Sequence, residues 1–200
     1  MMSQTHMLIA AGLLSRPGKP LRNSAVLLGS FVPDLAIYCL FFWSKIAAIP
    51  EGRVWNVLYW QEPWQTYTAL GNSLPLYLVL LLVALLILRA VPNAFRIGVF
   101  LFFLSLAAIT HLAGDFPVHV TDAHRHFWPI SDWKFTSSIS YWNPSHHGDV
   151  FFIFEALGGF CLAAILFIRF RNLLVRLLLV FVMLAYVAVP LYFSITHGGH

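Results

Sequence analysis

The sequence predicts an all-α fold: a polytopic membrane helical bundle of about five transmembrane helices plus a short N-terminal helix. Composition is the first ground for this. Of the 200 residues, 60% are hydrophobic and 10% charged, and the mean hydropathy is +0.77, whereas a water-soluble surface calls for about 25% charged residues. The second is the length of the apolar runs, several of which match the roughly 20 helical residues that cross a hydrocarbon core. The third is the placement of tryptophan near predicted helix ends and in the loops between them, as in an interfacial belt.

Each element follows from local pattern. Residues 4–15 (QTHMLIAAGLLS) read as an apolar helix too short to cross alone, packed into the bundle as a half-helix. Arg16, Pro17, Gly18, Lys19, Pro20 and Arg22 form a basic turn. Residues 24–48 are the first full span, with Pro33-Asp34 at its middle. Residues 49–72 are a loop rich in Trp and Tyr with an interfacial helix. Residues 73–91 form a very apolar span, Pro92-Asn93 break it, and 95–114 form the next. Residues 115–148 are a polar, histidine-rich loop, and 150–168 and 173–195 are the last two spans. No internal repeat or low-complexity linker divides the chain, so residues 1–200 read as one membrane-embedded domain. The first fifteen residues have no n-region charge and no A-x-A cleavage site, so they are expected to stay in the mature protein. Cys39 and Cys161 lie in apolar runs without CxxC spacing and read as packing residues.

Basic residues set the orientation. Arg16, Lys19, Arg22, Arg89, Arg96, Arg169, Arg171 and Arg176 fall at alternate helix ends, which puts eight of the twelve cations on one side; Lys45, Arg53, Arg125 and Lys134 fall on the other. The first side is expected to be cytoplasmic and the protein to sit in the inner (cytoplasmic) membrane. The loops 49–72 and 115–148 and the terminal His197-Gly-Gly-His200 then face the periplasm or exterior. The net charge of +4 marks this sidedness, and no nucleic-acid partner is expected; the partner is membrane lipid.

Depth singles out candidate functional residues. His6 lies ten residues from Arg16, Asp34 twelve from Arg22, His111 fifteen from Arg96, Glu155 fourteen from Arg169 and Asn72 seventeen from Arg89. At the helical rise these offsets correspond to roughly 15–25 Å above the cation-rich end. Five polar residues on five segments thus reach one level, where ionisable groups face a bundle interior and mark function. Asp115 is four residues after His111, on the same helix face, so the pair can share a metal ion. Pro117 ends that helix, and His119, Asp122, His124 and His126 follow; His146 and His147 precede the next span. Imidazole and carboxylate together suit a divalent metal, zinc first and manganese or iron next.

Plainer readings stand beside these. Asp34 could be a helix-packing device satisfied by a kinked backbone, and Glu155 could pair with a loop arginine. His124, Arg125 and His126 could form a solvated basic loop. His197 and His200 could be a frayed terminus, and Trp128, Trp133 and Trp142 interfacial anchors. One metal site accounts for His6, Asp34, His111 and Asp115 together, whereas these readings need a separate reason for each.

The residues Thr5-His6, Leu28-Gly-Ser-Phe-Val-Pro33-Asp34, His111-Leu-Ala-Gly-Asp115 and Phe127-Trp128-Pro129 give the chain a resemblance to the YdjM-like membrane-bound metal-dependent hydrolases. That family is distantly similar to the zinc-dependent phospholipase C and single-strand nuclease fold. The chain departs from the pattern at Leu70-Gly71-Asn72-Ser73-Leu74, where the family has histidine, and in lacking a second aspartate after Pro33-Asp34. The loop histidines are the candidates to replace the missing ligands. The resemblance implies hydrolysis of an ester or phosphoester, on a lipid or cell-envelope substrate. His6, Asp34, His111, Asp115 and His119 would hold one or two metals, His146 or His147 would complete the set, and Asp122 or Glu155 would be the general base. The rivals are a non-catalytic membrane assembly partner that keeps the fold and, less well supported in so short a chain without an inverted repeat, a small transporter.

The orientation is testable. With Cys39 and Cys161 replaced, a single cysteine at Ser137 should react with an impermeant thiol reagent in intact cells, outer-membrane access being provided where needed. Labelling seen only after lysis would reverse the assigned sides.

Overall fold

The computed structural model describes residues 1–197, with side chains up to Ala188 and at Leu191 and Tyr192. Its polarity is inverted relative to a soluble protein. Thr5, His6, Ser30, Asn72, His111, Asp115 and Glu155 are buried, while Phe154 and Leu174 are 69% and 71% exposed among many large apolar side chains on the outer faces. An apolar patch of that extent is incompatible with a water-exposed monomer and suits lipid. Cys39 and Cys161 also lie on this exposed surface, so neither is the interior packing residue that its apolar run suggests.

Every element among the described residues is helical. The short helix α1 (Ser3–Leu14) is followed by α2 (Pro20–Phe31), a 3-10 turn Val32–Asp34, and α3 (Leu35–Ile46). Pro20 opens α2 at a position where its missing N–H costs nothing. Pro33 lacks the amide that would continue the ladder, so the helix tightens to a 3-10 turn and restarts as α3. The loop after it carries α4 (Glu51–Asn56) and α5 (Trp64–Gly71). The helix α6 (Leu74–Ala90) is bent from α5 by 42°, and the Ser73 side chain caps its start by accepting from the Leu76 amide. Then come α7 (Phe95–Asp115), α8 (Gly148–Arg169) and α9 (Leu173–His197).

Among the described residues, three helical segments are long and apolar enough to span a bilayer: Pro20–Ile46, Pro92–Asp115 and Gly148–Arg169. The bent pair Trp64–Gly71 and Leu74–Ala90 makes a fourth if it counts as one span. The fifth expected span, 173–195, lies within α9 (Leu173–His197), of which the apolar stretch Leu173–Ala188 is by itself shorter than a full crossing. The side chains of His197 and His200 lie outside the described residues.

The helix α7 is the centre of the bundle, packed against α2 on one side and α6 on the other, and α1 is wedged among α2, α7 and α8. At twelve residues, α1 is about 18 Å long; it begins inside the bundle, where Thr5 and His6 are buried, and ends at the exposed turn of Arg16 to Lys19. Its last carbonyls find donors there: Arg169 Nη1 donates to Gly12 O at 2.7 Å, and Arg22 Nε donates to Leu14 O. Arginines at a helix C-terminus satisfy orphan carbonyls and complement the dipole, which is what lets a half-helix stop there.

The approach of α2 to α7 depends on Gly29. A Cβ there would lie 2.2 Å from the carbonyl oxygen of Leu104, so any side chain must push the helices apart. A Cβ on Gly158 meets nothing within 4 Å. We expect Gly29→Ala to lower stability in detergent by about 1–3 kcal/mol, the range for overpacking, and Gly158→Ala to be neutral or slightly stabilising. Equal thermal unfolding of the two variants would show that the close α2–α7 contact is not limiting.

Candidate metal centre

The centre is built around Asp115, the last residue of α7. The buried face of that helix runs through Ser105, Ala108, His111, Leu112 and Asp115, the i, i+3, i+4 stripe expected of a helix packed on both flanks. His111 and Asp115 therefore share one face, and Asp115 is 2% exposed.

Four other groups reach its carboxylate. His6 Nε2 from α1 lies 2.9 Å from Oδ1, and His111 Nε2 lies 3.0 Å from Oδ2. His119 Nε2, from the loop after α7, lies 3.2 Å from Oδ1, and the Met1 amino group 2.5 Å from the same oxygen. The rings of His6 and His111 stack at 3.5 Å with 10° between planes. Asp34 closes the far side, with Oδ1 3.5 Å from His111 Nε2 and Oδ2 accepting from the Ser3 hydroxyl. Asp34 makes no side-chain cap at the start of α3, so a kink-capping role does not explain it. Thus α1, the α2–α3 kink and α7 bring His6, Asp34, His111 and Asp115 together.

Tautomers can be assigned from partners. His111 Nδ1 is 2.7 Å from the backbone carbonyl of Ser30, which only accepts, so the proton sits on Nδ1. His119 Nδ1 is 3.0 Å from Asp122 Oδ2. Burial pushes the Asp122 carboxyl up, but the bonds from His119 and Trp142 outweigh it and hold the pKa down at about 2. Asp122 is therefore a carboxylate, and His119 carries its proton on Nδ1. In both rings Nε2 is then the nitrogen that faces a carboxylate. Neither Nε2 is aligned for a hydrogen bond, and both are buried without a hydrogen-bond partner among the described residues, as is His6 Nδ1. An unprotonated imidazole nitrogen facing a buried carboxylate repels it unless a proton or a metal ion lies between them. Orphaned imidazole nitrogens whose other nitrogen is anchored by a carbonyl or carboxylate are the arrangement of metal-ligating histidines, so the donor set fits a divalent ion.

Two triads meet the spacing for an ion, their ligand atoms all within 4.8 Å of one another: His6, His111 and Asp115, and Asp115, His119 and His124. Asp115 belongs to both. His124 did not enter the ligand set drawn from sequence, although it stands five residues after His119 in the same histidine-rich stretch. It is 5% exposed and His126 is 6% exposed, so the loop is not a solvated basic segment. Burial, then His119, pushes the His124 pKa down to about 3, which leaves the ring neutral and able to donate a lone pair. For His119 burial acts downward, but the neighbouring Asp115 and Asp122 carboxylates prevail and raise its pKa.

The remaining candidates sit further out. Glu155, on α8, accepts the Met2 amide at 2.7 Å through Oε1, and its Oε2 is buried without a partner among the described residues. Arg125 is paired instead with Glu62 and Asp132, each at 3.2 Å. His146 lies half-buried in the 3-10 turn Pro144–His146, His147 is exposed, and neither belongs to a triad. Asn72 donates to the Pro33 carbonyl at 3.1 Å, and its own carbonyl meets His126 Nδ1 at 3.1 Å. The residue standing where the resembling family has histidine thus braces the Pro33-Asp34 turn.

The loop closes over this cluster as a folded lid. Leu74 N donates to His126 O at 2.8 Å, and the Ser73 hydroxyl donates to Trp128 O. Ser137 N donates to His119 O at 2.9 Å and Tyr141 N to Val118 O at 3.0 Å, while Phe116 stacks on Phe135 at 4.5 Å.

Asp115→Asn keeps the side-chain shape and removes the charge. It should sharply lower the divalent metal retained by protein purified in detergent, measured by elemental analysis, while leaving the protein folded. Asp149→Asn, at an exposed position, should retain the wild-type content. If Asp115 only terminated the helix, Asn would serve nearly as well and metal content would not change.

No family model, curated protein or solved structure gives a significant match to the chain. The residues themselves establish an all-α membrane bundle with a buried His/Asp cluster suited to a divalent metal.

Proposed function

We propose that the protein is a membrane-bound metal-dependent hydrolase of the YdjM-like type, acting on an ester or phosphoester carried by a lipid or cell-envelope substrate. The observation that supports this best is the convergence of His6, His111, His119 and His124 on one shared carboxylate, Asp115. A carboxylate common to two triads suits a site for one or two zinc, manganese or iron ions. A divalent ion bound there supplies Lewis-acid polarisation of the ester and lowers the pKa of water.

The chain's own groups divide the remaining work. Ser30 O and Asp122 fix the tautomers of His111 and His119. Asp122 also accepts from Trp142 Nε1 at 3.0 Å and keeps Oδ1 without a partner among the described residues. Asp122 is therefore the better placed of the two expected bases, since it is joined to the site through His119. Glu155 is connected through the first residues of the chain, as Met2 bonds Glu155 and Met1 bonds Asp115. The lid of residues 116–147 excludes water, and a substrate reaches the cluster when that lid lifts. The cation distribution would place this end outside the inner membrane.

Enclosure of the cluster favours a second reading, a non-catalytic assembly partner with a structural ion, because structural metal sites are closed. The discriminating experiment measures metal and turnover together. Protein purified in detergent should retain stoichiometric zinc or manganese and cleave a phosphodiester or phospholipid ester. The activity should be lost on chelation and in His111→Ala, and restored to the wild type by the metal. Stoichiometric metal with no hydrolysis would assign the structural role, and failure to bind a divalent metal would exclude both readings.

A further inference from the structure

The cation-rich end of the bundle carries a second site, unrelated to the metal centre. A cleft of about 360 Å³ lies between the first turns of α2 and α7. Lys19, Arg22 and Arg96 line it together with Phe95, Val99 and Phe103, and no Asp or Glu contributes. The absence of acid extends well beyond the cleft. The ion pairs of lysine or arginine among the described residues are Lys45 with Glu51 and Arg125 with Glu62 and Asp132, all on the opposite side by sequence. Lys19 and Arg96 are exposed and make no ion pair among the described residues. Three cations face one cavity without a counter-charge.

Arg22 is held for presentation. Its Nε donates to the carbonyl of Leu14, and its guanidinium carbon lies 4.2 Å from the centroid of the Phe103 ring. These contacts fix the plane of the fork and leave the two terminal nitrogens without a partner among the described residues. A guanidinium held in this way matches the oxygens of a phosphate. Both adjoining helix starts lack a side-chain cap, so their amide dipoles add positive potential in the same place. The opposite wall of Phe95, Val99 and Phe103 is apolar. A site with cations at one end and aromatic and aliphatic walls along its length fits a molecule with a phosphate at one end and hydrocarbon at the other.

We propose that this cleft binds the phosphate headgroup of an anionic phospholipid, with the start of its acyl chains against Phe95, Val99 and Phe103. Basic pockets between membrane helices recognise such headgroups through charge and depth. The lipid neutralises the Lys19–Arg22–Arg96 cluster and ties the α1–α2 turn to the start of α7.

Native mass spectrometry of the detergent-purified full chain tests this, with dioleoyl phosphatidylglycerol, dioleoyl phosphatidylcholine and inorganic phosphate as separate probes. The expected result is retention of one phosphatidylglycerol under activation that removes phosphatidylcholine, with no competition from millimolar inorganic phosphate. Lys19→Gln combined with Arg96→Gln should lower that retention by about tenfold, in line with the attraction of an anionic lipid to each removed charge. Arg89→Gln combined with Arg171→Gln removes two charges outside the cleft and should leave retention within about twofold. Both altered positions in the cleft are exposed, so folding is not at risk, and Arg22→Gln should act in the same direction. Equal retention of the two lipids, equal loss in the two double variants, or displacement by inorganic phosphate would each overturn the assignment.

Discussion

A carboxylate at the end of a helix inside a membrane protein cannot stay charged and alone, and much of this structure is arranged around that constraint at Asp115. Removing an ionised carboxylate from water costs several kcal/mol even after relaxation, so it survives only with cations or strong donors around it. Here the groups that surround it come from α1, α7 and the following loop: His6, His111, His119 and the Met1 amino group. Asp34 adds a second carboxylate next to His111. Two acids and three imidazoles with orphaned nitrogens are more compatible with a bound cation than with any arrangement of hydrogen bonds among themselves.

The supporting scaffold follows from the need to hold these groups still. Gly29 lets α2 approach α7, and the next residue, Ser30, offers its carbonyl to His111. Pro33 breaks the helix, and Asn72 braces the broken turn so that Asp34 lies beside His111. The half-helix α1 ends at the exposed basic turn, where Arg22 and Arg169 satisfy its last carbonyls, and its buried start places His6 at the level of Asp115. The small residues and the arginines are therefore as much a part of the site as its ligands. The same division leaves cations without acids at one end of the molecule and gathers the acids and histidines at the other.

Lid and cluster are coupled through His119. Its Nδ1 is held by Asp122, which Trp142 also holds, and its backbone carbonyl pairs with Ser137. Displacing the loop would move a candidate ligand, so on the proposed reading access and metal occupancy would be linked. That linkage separates the site from one built entirely on rigid helices.

The sequence by itself determined the membrane class, the asymmetry of charge and the common depth of His6, Asp34, His111 and Asp115. Those properties are local: hydropathy is a sum along the chain, and depth is a count multiplied by a fixed rise per residue. The pairing of His111 with Asp115 was legible for the same reason, since four residues return a helix to one face. Rotation about each helix axis is not local, so only the tertiary structure decided that the four side chains point at one another. It likewise decided that His124 rather than His146 or His147 joins a triad, because the path of an irregular loop is set by its contacts with Ser73, Leu74 and Phe116, and no periodicity encodes them. The tertiary structure also decided that His111 and His119 carry a proton on Nδ1, which depends on partners as distant in sequence as Ser30 is from His111.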